Sequence, residues 1–231
     1  MTVEIAPLRV LRSGAAPDPA VPPLAEGTVA LWLMRATHDD DAYLLLDARE
    51  RRRWKALLRE DHRTRYLASH GALRRLLGHY LGIGGHEVAF AREACPRCGG
   101  PHGRPAVRGG GIHFSLSHSR DLAFLAFSSV PVGVDIEAHP RAEVSDSVTD
   151  SLHPLERDEF ALLPPESRPA AFARCWVRKE AYLKGTGEGV AEELGRRYVG
   201  MGPEPAPVPG WSLTDVWASP GFAAAVAVSL Q

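Results

Sequence analysis

Cysteine is scarce in this chain, which has three cysteines among 231 residues. An odd number this small does not build the disulfide framework of a small secreted domain, so we expect a reducing compartment, the cytoplasm. Long hydrophobic runs are also lacking, since no apolar stretch reaches the roughly 18 residues of a membrane-spanning helix. Residues 1–27 lack the apolar core of a signal peptide. These absences argue against a secreted or membrane-embedded protein.

An excess of charge of either sign is missing as well, because the formal net charge is −1 at pH 7. A nearly neutral chain has no global attraction to nucleic acids or anionic membranes, and we predict neither as a partner. Hydrophobic residues make up 45% and charged residues 24% of the chain, as in ordinary globular proteins. The length allows one large domain or two small ones.

The spacing of apolar residues predicts an α+β fold. Recurrence at three- and four-residue intervals predicts helices over residues 47–81, 154–163 and 169–184, with a break in the first near Asp61 and His62. Runs of β-branched and aromatic residues predict strands at residues 28–34, 112–116, 122–128, 131–137, 211–217 and 222–230. Residues 1–27, which include a segment rich in Pro, Ala and Gly, are predicted to be flexible.

Two carboxylates, Asp135 and Glu137, lie two residues apart in one predicted strand. Residues i and i+2 of a strand point to the same face, about 6.5–7 Å apart, and Gly133 before them lets a ligand approach the backbone. Such oxygen ligands suit a hard cation, and Mg²⁺ takes only one or two protein carboxylates beside water and phosphate oxygens. The alternative is two solvated carboxylates, although the apolar surroundings argue against full exposure. Like charges held this close need a cation or a raised pKa.

The helix predicted over residues 169–184 has a third carboxylate, Glu180, and two lysines, Lys179 and Lys184. Lys179 lies in the apolar stripe of the helical wheel, where a lysine needs a partner. Glu180 and Lys184 are one turn apart on the same side. From these residues alone, a snorkelling lysine and a surface ion pair explain the helix better than a phosphate site does.

Four short motifs, in order, resemble the signature of the 4′-phosphopantetheinyl transferases of the Sfp type. They are Gly-Arg-Pro at residues 103–105, Phe-Ser-Leu-Ser-His-Ser at 114–119, Gly-Val-Asp-Ile-Glu at 133–137 and Trp-x-x-Lys-Glu-Ala-x-x-Lys-Gly at 176–185. The resemblance implies a pseudo-dimer of two similar α/β subdomains with the active site between them. It places a coenzyme A-binding subdomain at residues 28–118 and a metal-binding, catalytic subdomain at residues 119–231.

The resemblance also implies a role for individual residues. The implied Mg²⁺ ligands are Asp135, Glu137 and Glu180; Glu180 is also the general base, and Lys184 is the second catalytic residue. The implied contacts to coenzyme A are Arg53, Gly103, Arg104, Ser117, His118, Lys179 and Lys184. A second basic position of the family falls on Glu50, which departs from the pattern. From the residues alone, the segment from Ser117 to Ser119 is better explained as a turn with a structural histidine.

The implied function is transfer of the 4′-phosphopantetheine arm of coenzyme A to a serine of an apo acyl or peptidyl carrier protein, giving holo-carrier protein and 3′,5′-ADP. The enzyme is expected to be a monomer. Because loops beside a rigid site often select partners, we expect residues 141–168, with Arg157 and Arg168, to recognise the carrier. Two alternatives are a non-catalytic coenzyme A-binding protein and, from the arginines at 49–53 and the Cys-x-x-Cys loop, a nucleic-acid-binding module.

Cys95 and Cys98 enclose Pro96 and Arg97, and His102 follows four residues later. This pattern resembles half a zinc knuckle, but a structural zinc site has four ligands. The one other thiol, Cys175, lies in the apolar stripe of a predicted helix. The sequence therefore favours a cysteine-bearing loop without metal.

Overall fold

The computed structural model describes residues 3–141, 149–189 and 194–230. Its strands are β1 (Glu4–Ile5), β2 (Arg9–Leu11), β3 (Thr28–Arg35), β4 (Phe90–Arg92), β5 (Pro105–Val107), β6 (His113–Ser119), β7 (Leu122–Ser128), β8 (Val132–Ala138), β9 (Trp211–Asp215) and β10 (Phe222–Ser229). Its α-helices are α1 (Ala42–Leu45), α2 (Ala48–Ala56), α3 (Glu60–Leu81), α4 (Pro154–Leu162) and α5 (Arg168–Thr186). Within the described ranges, no helix is both long and apolar enough to span a bilayer.

The strands form two main sheets that pack face to face. The N-terminal sheet has the order β1-β3-β7-β6, with β2 also pairing with β3, and the C-terminal sheet has the order β8-β10-β9. Alternate residues of β7 serve two cores: Phe124 faces the C-terminal sheet, whereas Leu125 faces α3. The outer face of the C-terminal sheet packs against α5. The predicted mixture of α and β structure is confirmed, as four layers in the order helix, sheet, sheet, helix.

Two predictions about the N-terminal half are wrong. Residues 1–27 were expected to be flexible, but β1 and β2 pair in parallel with β3 and extend its sheet. The boundary at residue 118 assigned β7 to the C-terminal subdomain, but β7 pairs with β3 and β6 over its whole length. The reason is that β6 and β7 form a tight hairpin around Arg120, which has φ 51°, and a hairpin keeps its two strands in one sheet.

The long helical segment is divided at residues 57–59, slightly before the predicted break. Asp47 caps α2 by accepting hydrogen bonds from the backbone N–H groups of Arg49 and Glu50, and the Glu50 carboxylate bonds back to the N–H of Asp47. This capping box fixes the start of α2. Helix α3 ends at Gly82, which adopts the left-handed conformation with φ 69°, as its lack of a Cβ allows.

Gly133 has a different role from the predicted one. A Cβ at this position would lie 2.0 Å from the carbonyl oxygen of Ala181 and 2.4 Å from the backbone nitrogen of Gly185. The glycine therefore lets helix α5 approach strand β8, and no ligand is needed to explain it. Helix α5 also continues past the expected end at Gly185 to Thr186, with Gly187 as its left-handed cap.

Candidate active site

Asp135 lies at the centre of the predicted acidic cluster and is 2% exposed. Its Oδ1 accepts hydrogen bonds from Lys184 Nζ at 2.6 Å and from Ser117 Oγ at 2.6 Å. Lys184 Nζ also donates to Ser117 Oγ at 3.0 Å. Strand β8, strand β6 and the end of helix α5 therefore meet at one carboxylate. Lys184 forms an ion pair with Asp135, whereas the helical wheel pointed to Glu180 as its partner.

The two strand carboxylates share a face, as predicted. Glu137 accepts a hydrogen bond from Ser119 Oγ at 2.7 Å, in the same way that Asp135 accepts one from Ser117. Ser115 completes the series by accepting from the backbone N–H of Val134. Sequence reasoning missed Ser115 and Ser119 as supports of the acidic strand. The signal was present, because serines at positions i, i+2 and i+4 of a strand lie on one face.

The expected turn after residue 116 is not observed, since β6 continues to Ser119. Ser117 lies inside this strand and points toward Asp135, so its hydroxyl is committed to the carboxylate and to Lys184. His118 is the neighbouring residue of the strand and is exposed, which is expected because successive side chains point to opposite faces. Ser117 and His118, which the resemblance implies as contacts to coenzyme A, therefore point to opposite faces of strand β6.

The acidic residues of the cluster are held in an environment that disfavours their charged forms. The pKa of Glu180 is raised to about 7, chiefly by burial and then by the negative charges of Asp135 and Glu137, against the effect of Lys184. Burial also raises the pKa of Asp135, and Lys184 offsets this only in part. Glu137 has a raised pKa for the same first reason, burial, with Asp135 adding to it. Carboxylates arranged in this way are stabilised by a cation.

These residues fit a hard divalent cation such as Mg²⁺, because the donor set consists of carboxylate oxygens. Asp135 Oδ2 is buried and has no hydrogen-bond partner among the described residues. This oxygen is therefore available as a ligand for an ion. The ligand oxygens of Asp135, Glu137 and Glu180 do not all lie within 4.8 Å of one another. In this arrangement the countercharge comes from Lys184, whose ammonium lies against Asp135.

A cleft of about 730 Å³ begins beside the acidic cluster. Lys184 lines it, and its other walls come from α2, α3, the β4–β5 hairpin and β6. Five of the lining residues carry cationic side chains: Arg49, Arg53, Arg92, Arg104 and Lys184. The volume lies in the range of small-molecule sites, and the charges suit an elongated anion.

Gly103 and Arg104 lie in this cleft, as predicted. Arg104 Nε donates to a carboxylate oxygen of Glu93 at 2.7 Å, and its Nη1 donates to the carbonyl of Gly185 at the end of α5. A Cβ on Gly103 would lie 2.5 Å from the carbonyl oxygen of Glu93. The glycine therefore permits the close turn that places Arg104, and Arg104 connects the β4–β5 hairpin to the catalytic helix.

Arg53 also lines the cleft, and its neighbour Glu50 has a structural role that accounts for the departure noted in the sequence. The Glu50 carboxylate accepts from Arg74 Nε at 2.7 Å and lies 3.0 Å from His70 Nδ1. Arg74 is fully buried and also donates to the carbonyls of Gly85 and Val88. Glu50 thus holds α2 against α3.

Lys179 does not belong to this site. Its Nζ lies 2.7 Å from a carboxylate oxygen of Glu156 and donates to the backbone carbonyls of Leu194 and Arg197. The residue is 2% exposed and Glu156 is 0% exposed. The three N–H donors of a lysine are therefore matched by three acceptors. The prediction that Lys179 contacts phosphate is wrong. A lysine in an apolar stripe needs a partner, and this partner is Glu156, a buried glutamate on α4.

An acidic cluster beside a cleft lined by cationic side chains suits an extended anionic ligand. The 4′-phosphopantetheinyl transferase superfamily matches over residues 131–208. The chain is 35% identical over 179 residues to the 4′-phosphopantetheinyl transferase HetI of Nostoc sp., an alignment that covers 73% of this chain and 72% of that protein. The chain belongs to the 4′-phosphopantetheinyl transferase superfamily.

Two further relatives match over shorter stretches. The identity is 29% over 126 residues with the 4′-phosphopantetheinyl transferase psf-1 of Bacillus pumilus, covering 53% of this chain and 49% of that protein. It is 38% over 91 residues with the 4′-phosphopantetheinyl transferase AcpT of Salmonella typhimurium, covering 38% of this chain and 47% of that protein. The chain thus spans about half the length of these two relatives.

Proposed function

We propose that this protein transfers the 4′-phosphopantetheine arm of coenzyme A to a serine hydroxyl of an apo acyl or peptidyl carrier protein. The observation that carries the proposal is the acidic cluster beside Lys184, which lines the cationic cleft. Asp135 and Glu180 of this cluster are buried, and Glu137 is half-buried. The cleft accepts the anionic coenzyme A, and the cluster lies where a pyrophosphate and a cation are to be held together. The names of the relatives support the same reaction.

The reaction needs one proton transfer and one exchange of bonds at phosphorus. The serine oxygen of the carrier forms a bond to the phosphorus that bears the pantetheine arm, and the bond from that phosphorus to the 3′,5′-ADP oxygen breaks. Glu180 takes the serine proton as the general base. Lys184 stabilises the negative charge that accumulates on the phosphate oxygens. Arg104 and Arg53 hold the remaining phosphates of coenzyme A.

Mg²⁺ would be held by Asp135, Glu137 and Glu180, and when bound it polarises the pyrophosphate oxygens and neutralises their charge. Asp135 Oδ2, the buried oxygen without a hydrogen bond among the described residues, supports this assignment. Ser117 and Ser119 orient the two strand carboxylates through their hydrogen bonds. They act on the ligands in the way that outer partners commonly orient metal-binding side chains.

We also propose that the two halves are related as a pseudo-dimer and that the protein acts as a monomer. Each half has a sheet with a long helix on its outer face, and each helix carries a fully buried arginine. Arg74 on α3 binds Glu50 and two backbone carbonyls, and Arg178 on α5 binds Asp215 and two backbone carbonyls. The free thiols of the three cysteines support the predicted cytoplasmic compartment.

The test is intact-mass analysis of apo acyl and peptidyl carrier proteins after incubation with this protein, coenzyme A and Mg²⁺. We expect the mass of the carrier to increase by one phosphopantetheine group. The variant Asp135→Asn should lose at least about 100-fold of this activity, whereas Glu26→Gln, a change at an exposed carboxylate before β3, should keep it. Binding of coenzyme A without modification of any carrier would instead favour the non-catalytic alternative.

A further inference from the structure

The loop between β4 and β5 brings three potential ligands of a transition metal together. The Sγ atoms of Cys95 and Cys98 and a ring nitrogen of His102 all lie within 4.8 Å of one another. Cys98 Sγ and His102 Nε2 are hydrogen-bonded to each other at 2.9 Å. Zinc binds sulfur at about 2.3 Å and imidazole nitrogen at about 2.0–2.1 Å, so ligand atoms of one ion lie within roughly 4.6 Å of each other. The cluster therefore has the dimensions of a metal site, whereas the sequence favoured a loop without metal.

The backbone of this loop is folded as a compact knuckle around Cys95. The N–H of Cys95 donates to the carbonyl of Gly100 at 2.8 Å, and the N–H of Gly99 donates to the carbonyl of Cys95 at 2.8 Å. These two hydrogen bonds hold the backbone of residues 95–100 in a closed turn.

Two glycines make the approach of His102 to the cysteines possible. Gly99 has φ 70°, a left-handed conformation that glycine adopts at no cost. A Cβ on Gly100 would lie 2.9 Å from Cδ2 of His102, 3.1 Å from its Nε2 and 3.3 Å from Cys98 Sγ. Any other residue at position 100 would push the imidazole away from the sulfur. The close approach of the three ligands is thus supported by the backbone as well as by their own side chains.

We propose that Cys95, Cys98 and His102 bind one Zn²⁺ ion, with the fourth position taken by solvent. Thiolate and imidazole ligands select zinc over the hard cation that suits the acidic cluster. Cys95 is 4% exposed, whereas Cys98 and His102 are exposed, which leaves room for a water ligand. Binding displaces the protons of the two thiols.

The zinc site would stabilise the part of the loop that leads into the cleft. His102 lines the cleft itself, and the next two residues are Gly103 and Arg104. The ion closes the loop from residue 95 to residue 102, so it restricts the conformations open to the segment that positions Arg104. This consequence rests on the proposed function, since it concerns coenzyme A, but the binding of zinc does not.

The metal content of the purified protein tests the proposal directly. Untagged full-length protein, prepared with a phosphine reductant and without chelator, should contain about one equivalent of zinc by plasma mass spectrometry. Cys98→Ala and His102→Ala should each lower the content at least about fivefold, and because both side chains are exposed, these variants should keep the wild-type circular dichroism. Cys175→Ala and His86→Ala, which change a thiol and an imidazole outside the cluster, should keep the full content.

Reconstitution with cobalt gives a second readout that does not depend on zinc supply. Stripped wild-type protein should take up one equivalent of Co²⁺ and show the visible bands of a tetrahedral thiolate site, which Cys98→Ala should lose. Zinc-free wild-type protein that gives no cobalt spectrum would overturn the proposal, as would equal zinc contents in wild type and Cys98→Ala. A disulfide between Cys95 and Cys98 in the freshly reduced protein, seen by intact mass, would also overturn it.

Measurement of coenzyme A binding tests whether zinc positions Arg104, independently of whether zinc binds. Loss of zinc should weaken the calorimetric affinity for coenzyme A about threefold to tenfold, with His86→Ala as the unaffected control. An unchanged affinity for coenzyme A in a zinc-free variant would show that zinc does not help to position Arg104. The zinc site itself would still be supported by the zinc contents and the cobalt spectra. Loss of transferase activity in every variant alike would concern the proposed function and not this site.

Discussion

At the scale of single residues, the acidic cluster is the main determinant of chemistry. Asp135 is nearly inaccessible and shares its Oδ1 between Lys184 and Ser117, while its Oδ2 is left without a partner among the described residues. Glu180 is 8% exposed and is surrounded by charges of its own sign. The site therefore stores unfavourable electrostatic energy, which a bound cation relieves.

The first prediction concerns the pH dependence of stability without metal. Because the pKa of Glu180 is raised to about 7 in the folded state, the folded protein keeps a proton that the unfolded chain releases near pH 4–5. Stability is therefore highest below the unfolded pKa and falls as the pH rises through the window from about 4.5 to 7. We expect Glu180 to lower the free energy of unfolding by on the order of 1–3 kcal/mol between pH 5 and pH 8.

Urea unfolding in the presence of EDTA measures this effect. Glu180→Gln should flatten the fall in stability between pH 5 and pH 8, and Glu26→Gln should leave it as in the wild type. Addition of Mg²⁺ at pH 8 should stabilise the wild type, because the cation binds the ionised carboxylates of the folded state. Identical pH profiles for wild type and Glu180→Gln would show that Glu180 ionises normally.

At the scale of elements, helix α5 carries two lysines that bind different carboxylates. Lys184, near the end of the helix, reaches Asp135 on β8. Lys179, more than one turn earlier, reaches Glu156 on α4 and the backbone of residues 194 and 197. Glu156 also accepts from the backbone N–H of Val199 at 2.9 Å. The buried lysine thus joins α4, α5 and the segment that follows them.

The second prediction separates the two lysines of this helix. Lys179→Met should lower the free energy of unfolding by about 3–5 kcal/mol, because it leaves the Glu156 carboxylate buried without its cation, and the folded fraction should bind coenzyme A normally. Lys184→Met should weaken coenzyme A binding, because Lys184 lines the cleft, and it should also lower stability, because the buried Asp135 carboxylate loses its cation. Urea unfolding and calorimetry of both variants check this pair of outcomes.

A double variant is the control for the buried pair. Adding Glu156→Gln to Lys179→Met removes the unpaired charge and keeps an acceptor for the backbone N–H groups, so part of the lost stability should return. If Lys179→Met instead abolished coenzyme A binding in a protein of wild-type stability, Lys179 would be a phosphate ligand after all.

At the scale of the whole molecule, the surface that recognises the carrier protein is still a prediction. Residues 142–148 of the expected region lie outside the described residues. Arg168 is held in place, since its guanidinium donates to the carbonyls of Leu163 and Ala161 and lies 5.2 Å from the centre of the Phe160 ring. Arg157 on α4 is exposed. The exposed apolar side chains of the same helix are Leu155, at 52%, and Leu162, at 86%.

The third prediction is that α4 contributes to carrier recognition. Arg157→Glu should raise the KM for carrier protein about threefold to tenfold at low salt by opposing the acidic carrier helix that the family resemblance implies, and it should leave the coenzyme A affinity unchanged. Arg12→Glu, the same charge reversal after β2, is the matched control. Steady-state kinetics at two salt concentrations measure both. An unchanged KM for Arg157→Glu would place recognition elsewhere, whereas Arg168→Glu is less informative because it also removes a helix cap.

The sequence by itself determined the family, the residues of the acidic cluster and most of the elements. Asp135 and Glu137 could be placed on one face because a strand alternates with a period of two, and helix α5 could be found because its apolar residues follow a period of 3.6. These are local rules, and local rules are readable from one chain. The four short motifs indicated the family and the residues that the family resemblance implies for coenzyme A binding.

Only the tertiary structure decided which partner each side chain finds. Lys179 and Lys184 have the same chemistry and lie on one helix, yet one is bound to Glu156 and the other to Asp135. Ser117 serves a carboxylate on another strand, and the Gly133 position is filled by the approach of α5. The three ligands of the proposed zinc site meet because glycines bend the loop. Contacts between elements depend on packing and on residues far apart in the chain, and the spacing within one segment does not encode them.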